Sequence, residues 1–312
     1  MKILVTGGAG FIGSHIADAL LDEGHTVVVM DDLSSGRAEN VPDEALFLEA
    51  DIRDAEVVAR AFDEHGFDVV CHQAAQTSVS VSTREPIRDA EINILGSLNL
   101  LEQCRAKGIA RFVFASTGGA IYGEIPEGQR AGESWPPQPI SPYACSKLAF
   151  ERYLRAYHHE HEIPFTILRY ANVYGPRQDP HGEAGVVAIF SRRLVAGEPV
   201  QVNARREVGD PGCIRDYVYV KDVVRANALA IHGELTDPVL NVGTGVGAST
   251  LDLVEGLEAA LDVKADKTFG SRRAGDLERS VLEPNDQLLA LQPPTPLAQG
   301  MTETARWFAE RG

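Results

Sequence analysis

The chain has 312 residues, 44% hydrophobic and 24% charged, with a formal net charge of −16. The composition is that of a globular protein, and the length exceeds what one hydrophobic core supports, which predicts a large domain with a smaller lobe. The negative charge argues against nucleic acid or an acidic membrane surface as partner, since either needs a basic face.

No apolar run approaches the roughly 20 residues of a bilayer span, and the opening MKILVTGGAG has no apolar signal core, so a cytoplasmic protein is expected. Cys71, Cys104, Cys145 and Cys213 lack metal-ligand or paired spacing and read as free thiols.

Along the first part of the chain, short apolar runs alternate with amphipathic ones: KILVTG, FIGSHIADALLDEG, TVVVMDD, ALFLEAD, DAEVVARAFDEHG, DVVCHQAA, INILGSLNLLEQCRAKG and RFVFAST. Unbroken β-branched runs separated by helical patterns predict an α/β fold, a doubly wound parallel Rossmann sheet. After residue 170 the pattern loosens into Gly- and Pro-rich stretches. Two strand-like pieces, RDYVYV and VLNVG, are expected to return to the large sheet. The expected division is therefore a dinucleotide-binding domain over 1–170 with return segments near 214–243, and an interleaved lobe over 171–213 and 244–312.

KILVTGGAGFIG runs a strand into Gly7, Gly8, Gly10 and Gly13 and then into a helix. That context suits a dinucleotide, because the backbone must turn and approach a pyrophosphate at a helix N-terminus. Asp31 ends the next strand, where a carboxylate accepts from a ribose diol and repels a 2′-phosphate. NAD is thus expected over NADP, with Arg37 the one feature that opposes it. Asp51 and Ile52, ending the third strand, would border the adenine; taken alone, that pair reads as a helix cap.

SPYACSKLAFERYLRAYH opens with Ser141 as N-cap and Pro142 as first helical residue, so Tyr143 and Lys147 lie one turn apart on one face. Moving a tyrosine pKa from about 10 to about 7 takes roughly 4 kcal/mol of differential stabilisation. A neighbouring ammonium, the helix N-terminus and a cationic nicotinamide are the available sources. HHEHE (158–162) lacks HExxH spacing and reads as a solvated helix face, so no metal site is expected.

On these residues, and on HQAA, STGGAIYGE, LRYANVYGPRQDPHGEAGV, GCIRDYVYVKDVV, NVGTG and RRAGDLERSVLEP, the chain resembles the extended short-chain dehydrogenase/reductases over nearly its whole length, and within them the nucleotide-sugar 4-epimerases. The resemblance implies Tyr143 as acid/base, Lys147 as ribose holder and tyrosine activator, and a hydroxyl at the end of FAST. There is a departure in register: the usual position of that hydroxyl, four residues before Tyr122, holds Gly118. Thr117 is the first choice and Ser116 the second, with Gly118 and Gly119 expected as a loop that lets Thr117 swing into place.

In the related sugar 4,6-dehydratases an Asp and a Glu follow the hydroxyl, whereas glycines follow here. The resemblance therefore implies NAD-dependent 4-epimerisation of a UDP-hexose, UDP-galactose or UDP-glucose, through a transient 4-keto sugar. Alternatives are another nucleotide-sugar epimerase or dehydratase, acting on a uronate or a thymidine-linked sugar, and a non-catalytic dinucleotide sensor.

The same resemblance adds Phe11, Ile12, Asp32, Ser35, Gly36, Gln73, Ala74, Ala75, Gln76, Asn93 and Tyr170 to the cofactor set. It places Asn172, Arg215 and Arg273 on the diphosphate and Asp276 on the uridine ribose, with Val187 and Ser280 lining the substrate. Serine at 280, where relatives with a tyrosine exclude N-acetylated sugars, implies that UDP-N-acetylhexosamines are also accepted. A homodimer through the helices carrying Asn93 to Cys104 and Tyr143 to Tyr157 is implied as well.

Overall fold

Seven strands lie side by side in the order Val239–Val242, Phe165–Tyr170, Arg111–Thr117, Val69–His72, Lys2–Thr6, Thr26–Asp31 and Leu46–Glu49. The computed structural model describes residues 1–181, 185–273 and 275–311. Gly182, Glu183 and Ala184 of the motif that follows LRYANV, with Ala274 and Gly312, lie outside the described residues. Lys2–Thr6 pairs in parallel on both sides, Leu4 opposite Val28 on one neighbour and Val70 on the other. Ile3, Leu4 and Val5 have no exposed surface, because a central parallel strand is buried on both faces; this is why its run is apolar without alternation.

The third strand, Leu46–Glu49, ends one edge, and the chain then crosses back to lay Val69–His72 beside Lys2–Thr6. That reversal opens a crevice at the carboxyl ends of these two strands, the place where such sheets bind ligands.

The chain divides into two compact units. The first, Met1–Thr117, Ser141–Arg169 and Val224–Leu240, is built on a core that includes Leu4, Val28, Phe62, Val70, Phe112, Phe114 and Phe150. The second takes Gly118–Ile140, Tyr170–Val223 and the chain from Asn241 onward. It holds a small sheet in which Ile214–Tyr219 pairs with Asn172–Tyr174, Gly247–Ser249 and Arg279–Ser280, and a parallel pair of Val200–Asn203 with Lys267–Gly270.

Of the two segments expected in the large sheet, Val239–Val242 forms its edge, but Ile214–Tyr219 is the hub of the small one. An apolar run says that a strand is buried, not which neighbours it finds. Among the described residues no helix is long and apolar enough to cross a membrane, and Cys71, Cys104, Cys145 and Cys213 are all free thiols.

Candidate active site

The glycine loop explains itself by distance. Gly7 has φ +68°, and a Cβ there would stand 2.6 Å from the Ala74 amide nitrogen; one on Gly13 would stand 2.2 Å from the Gly7 carbonyl oxygen. Both positions therefore admit only glycine without a backbone shift. The helix Phe11–Asp22 begins behind Gly10 with no side chain capping it, so the amides of its first turn, Phe11, Ile12 and Gly13, are available to an anion at the positive end of the helix.

Asp31 is buried at the end of its strand and accepts from the Ala9 amide (3.0 Å) and the Leu33 amide (2.9 Å). Burial, with Asp32 nearby, pushes its carboxyl up, and the two amides oppose that. Gly36 passes so close that a Cβ would be 2.7 Å from Asp31 Oδ1. Asp32 and Ser35 are exposed on the same loop. Arg37 is more than half exposed, with Nη1 3.6 Å from Glu39 Oε1.

Asp51 is not a helix cap: it accepts from Arg53 through Nε (2.9 Å) and Nη2 (2.5 Å), which holds its carboxyl low, and the following helix is capped by Asp54 instead. Ile52 is buried against Gly96, where a Cβ would be 2.7 Å from its Cγ1.

These features fit a dinucleotide: a backbone cradle at a helix N-terminus and, one strand away, a carboxylate for a ribose. Gly13→Ala is expected to push the Gly7 carbonyl out of the cradle and weaken dinucleotide binding at least about 100-fold. The check is the absorbance ratio of the purified protein and titration of NAD by calorimetry.

From the loop a hydrogen-bonded chain leads to the helix Pro142–His161. Thr6 Oγ1 accepts from the Ala74 amide (3.3 Å), in the segment Gln73, Ala74, Ala75 and Gln76 that leaves Val69–His72. The Gln76 amide donates to Asn93 Oδ1 (2.9 Å), and Asn93 Nδ2 returns to the Gln76 carbonyl (2.9 Å). Both side-chain amides donate to Asp89 Oδ1, at 2.9 and 3.0 Å, while Ser146 Oγ donates to Asp89 Oδ2 at 2.6 Å. Asn93 lies in a π-helical segment, Glu91–Gly96, which gives it this inward position.

On that helix Ser141 caps the start, its Oγ accepting from the Ala144 amide (3.2 Å). Tyr143 and Lys147 follow. Tyr143 lies near the Thr117 side chain; burial raises its phenol to about 12, the Thr117 hydroxyl pulls it down and Asp89 adds to the rise. Lys147 is buried, with Nζ donating to the Ala115 carbonyl (3.0 Å) and lying 4.8 Å from the centre of the Phe114 ring. Burial lowers its ammonium to about 8 against the pull of Asp89 and Glu151.

Ser116, next in the strand to Thr117, meets the same helix farther along. It is buried and donates to Glu151 Oε1 at 2.6 Å, where Arg169 also binds through Nε (2.9 Å) and Nη2 (2.5 Å). Gly118 and Gly119 do not form a loop. They open a single helical turn, Gly118–Ile121, and Thr117 reaches Tyr143 from the strand end without one. HHEHE is exposed at the end of the helix.

Besides Thr117 and Tyr143, the residues expected at the substrate lie in the second unit, as does Tyr170 of the expected cofactor set. Tyr170 and Val187 are buried, and Asn172 is exposed with Oδ1 3.2 Å from where a Gly119 Cβ would stand. Arg215 is pinned by the carbonyls of Ile214 (3.0 Å) and Leu277 (2.6 Å). Arg273 is exposed; with the Asn203 amide oxygen turned toward it, its Nε donates at 2.8 Å. The Asp276 carbonyl accepts from Arg272 Nη2 (3.0 Å). Ser280 is buried and donates to the Gly119 carbonyl (3.2 Å). Arg206 and Arg272 both pair with Glu278 (2.7 and 3.2 Å), so cations gather around this segment despite the acidic total.

Sequence reading missed Asp89, Ser146, Glu151 and Arg169. Glu151 had a signal, lying one turn past Lys147 on the face that starts with Tyr143. Asp89 had little, since of its three donors only Asn93 is local, while Gln76 and Ser146 come from other segments.

Comparison with known proteins places this geometry. The family model described as the NAD dependent epimerase/dehydratase family matches residues 3–243. A UDP-glucose 4-epimerase of Mycolicibacterium smegmatis is 42% identical, covering 100% of this chain and 99% of its own. The solved UDP-glucose 4-epimerase of Thermus thermophilus in complex with NAD is 52% identical over 100% of this chain and 99% of that one, with a TM-score of 0.95. The Thermotoga maritima UDP-glucose 4-epimerase, solved with UDP-glucose, is 46% identical over the same shares, with a TM-score of 0.93. A match over most of the sequence, relatives similar from end to end and a dinucleotide cradle joined to a Tyr-x-x-x-Lys helix agree: the chain belongs to the NAD dependent epimerase/dehydratase family.

Proposed function

We propose that this protein catalyses the NAD-dependent 4-epimerisation of a UDP-hexose, interconverting UDP-galactose and UDP-glucose, with the first unit holding NAD and the second the sugar nucleotide. The observation that carries the reading is the Thr117 hydroxyl near Tyr143, where it favours the ionised phenol, with the buried Lys147 one helical turn along. The glycine loop Gly7–Gly13, Asp31 and the segment Gln73–Gln76 would hold the cofactor. NAD, when bound, would supply hydride exchange at the sugar C4 and, in its oxidised form, a positive charge at the site.

Tyr143 takes the proton of the 4-hydroxyl and gives it back after the sugar has turned. In the protein by itself its phenol stays protonated, because burial outweighs the help from Thr117. Lys147 fixes the ribose and supplies positive charge, and its grip on the Ala115 carbonyl holds it in place. Thr117 donates to the tyrosine oxygen and stabilises its ionised form. Gly118 and Gly119 carry no carboxylate to eliminate water across C5 and C6, which favours epimerisation over dehydration. Arg215, Arg273 and Asn172 answer the diphosphate, and Asp276 the uridine ribose.

The test is to incubate the purified protein with UDP-galactose, without added cofactor, and follow the anomeric protons by NMR. UDP-glucose should appear; no conversion, even after NAD is added, overturns the reading. In the same assay Thr117→Val is expected to lower kcat about 100-fold, the cost of one hydrogen bond to an ionised group in a buried site. Ser116→Ala should change kcat less than about threefold. We further propose a homodimer through the helices Ser97–Lys107 and Pro142–His161 and the turn before them, where Leu95 and Tyr153 are exposed.

A further inference from the structure

At the end of the sheet opposite the glycine loop, three side chains meet in a group the reaction does not use. Glu23 closes the helix Phe11–Asp22, His25 stands just before the strand Thr26–Asp31, and His232 is the last residue of the helix Val220–His232. His25 and His232 are 207 residues apart in the chain, yet their Nε2 atoms are 3.1 Å apart. Glu23 Oε2 lies 3.2 Å from His232 Nε2 and 3.6 Å from His25 Nε2.

Around a tetrahedral zinc ion with bonds of roughly 2.0–2.1 Å, neighbouring donor atoms stand about 3.3 Å apart. The triangle has the size of one face of that tetrahedron. The ring centres are 5.3 Å apart, so both imidazoles direct Nε2 at the same place rather than stacking. Two neutral imidazoles could share only one proton across that gap, and two charged ones would repel.

The outer partner of His232 matches the arrangement, whereas the Met1 ammonium donates to His25 Nδ1 and must move aside for that nitrogen to carry the proton and free Nε2. Glu234 Oε1 is 3.6 Å from His232 Nδ1, and the Met1 nitrogen is 3.4 Å from His25 Nδ1. A carboxylate beside the far nitrogen keeps the proton there and leaves Nε2 as a lone pair.

We propose that Glu23, His25 and His232 form a surface site for a divalent transition ion of the zinc class, its fourth position open to water, clipping the first helix–strand turn to the end of the helix Val220–His232. All three residues belong to the first unit, so the ion stabilises that unit without touching the reaction.

The test uses the full chain, free of any tag and stripped with a chelator, titrated with zinc chloride by calorimetry. One ion per chain should bind and raise Tm. His232→Ala and, separately, Glu23→Gln should weaken binding at least about 100-fold, beyond the 10–100-fold of a lost outer partner, and should keep the metal-free Tm of the parent. Loaded with Co2+, the protein should show the visible absorption of a four-coordinate ion without a thiolate charge-transfer band, which separates this cluster from the exposed Cys145. Absence of zinc binding, unchanged affinity in a His25→Ala, His232→Ala double variant, or a thiolate band would overturn the proposal.

Discussion

Tyr143→Phe is expected to lower kcat for UDP-galactose about 1,000-fold while leaving NAD content and KM within about twofold. Phenylalanine keeps the ring and its packing on the helix Pro142–His161 and removes only the oxygen that meets Thr117. Moving a proton by a positioned group contributes about 10²–10⁴ in rate. Ser116, the neighbouring hydroxyl, is committed to Glu151 and does not substitute.

The sharper version pairs two changes. If Thr117 works through the tyrosine oxygen, the Tyr143→Phe, Thr117→Val double variant is no slower than Tyr143→Phe alone, because groups that act as a unit are not additive. Steady-state kinetics of the three variants decide it: more than a tenth of parent activity in Tyr143→Phe removes the tyrosine from its role, and additive losses remove Thr117 from its partnership.

Glu151→Ala is expected to cost about 3–5 kcal/mol of stability, the usual penalty for stranding one member of a buried ion pair. The side chains of Arg169 and Glu151 are only 5% and 1% exposed, so no water reaches the guanidinium that would be left behind. The Ser116 hydroxyl would lose its acceptor as well. Urea denaturation should show the midpoint falling with little change in slope. Replacing the pair together, Glu151→Leu with Arg169→Met, should recover most of the loss, because no uncompensated charge remains. A loss below about 1 kcal/mol in Glu151→Ala would mean that solvent or a neighbour already answers Arg169. The folded fraction should keep its kcat within about threefold, which distinguishes this structural pair from the Thr117–Tyr143 contact.

What the sequence determined by itself is what rests on short-range geometry. The apolar runs KILVT and TVVVMD predict buried parallel strands, because a strand covered on both faces has no polar side to show. The glycines of GGAGFIG read as a tight turn because close backbone approach leaves no other residue type; the 2.2 Å and 2.6 Å contacts at Gly13 and Gly7 are that requirement in numbers. Tyr143 and Lys147 read as a pair because four residues make about one helical turn.

The tertiary structure alone decided everything that depends on which distant segment arrives beside a residue. The sequence left Thr117 and Ser116 alike, since Tyr143 and Glu151 lie on one face of the same helix and only the fold brings Ser116 to Glu151 with Arg169 and Thr117 near Tyr143. Asp89 collects a donor from Asn93, four residues on, but also from Gln76 and Ser146, which no local pattern connects to it. The strand Ile214–Tyr219 was legible as a strand but joined the small sheet, because pairing is settled by the partners present and not by the run itself. Glu23, His25 and His232 meet for the same reason: the ends of two helices and the start of a strand come together at one end of the sheet, and spacing along the chain holds no trace of it.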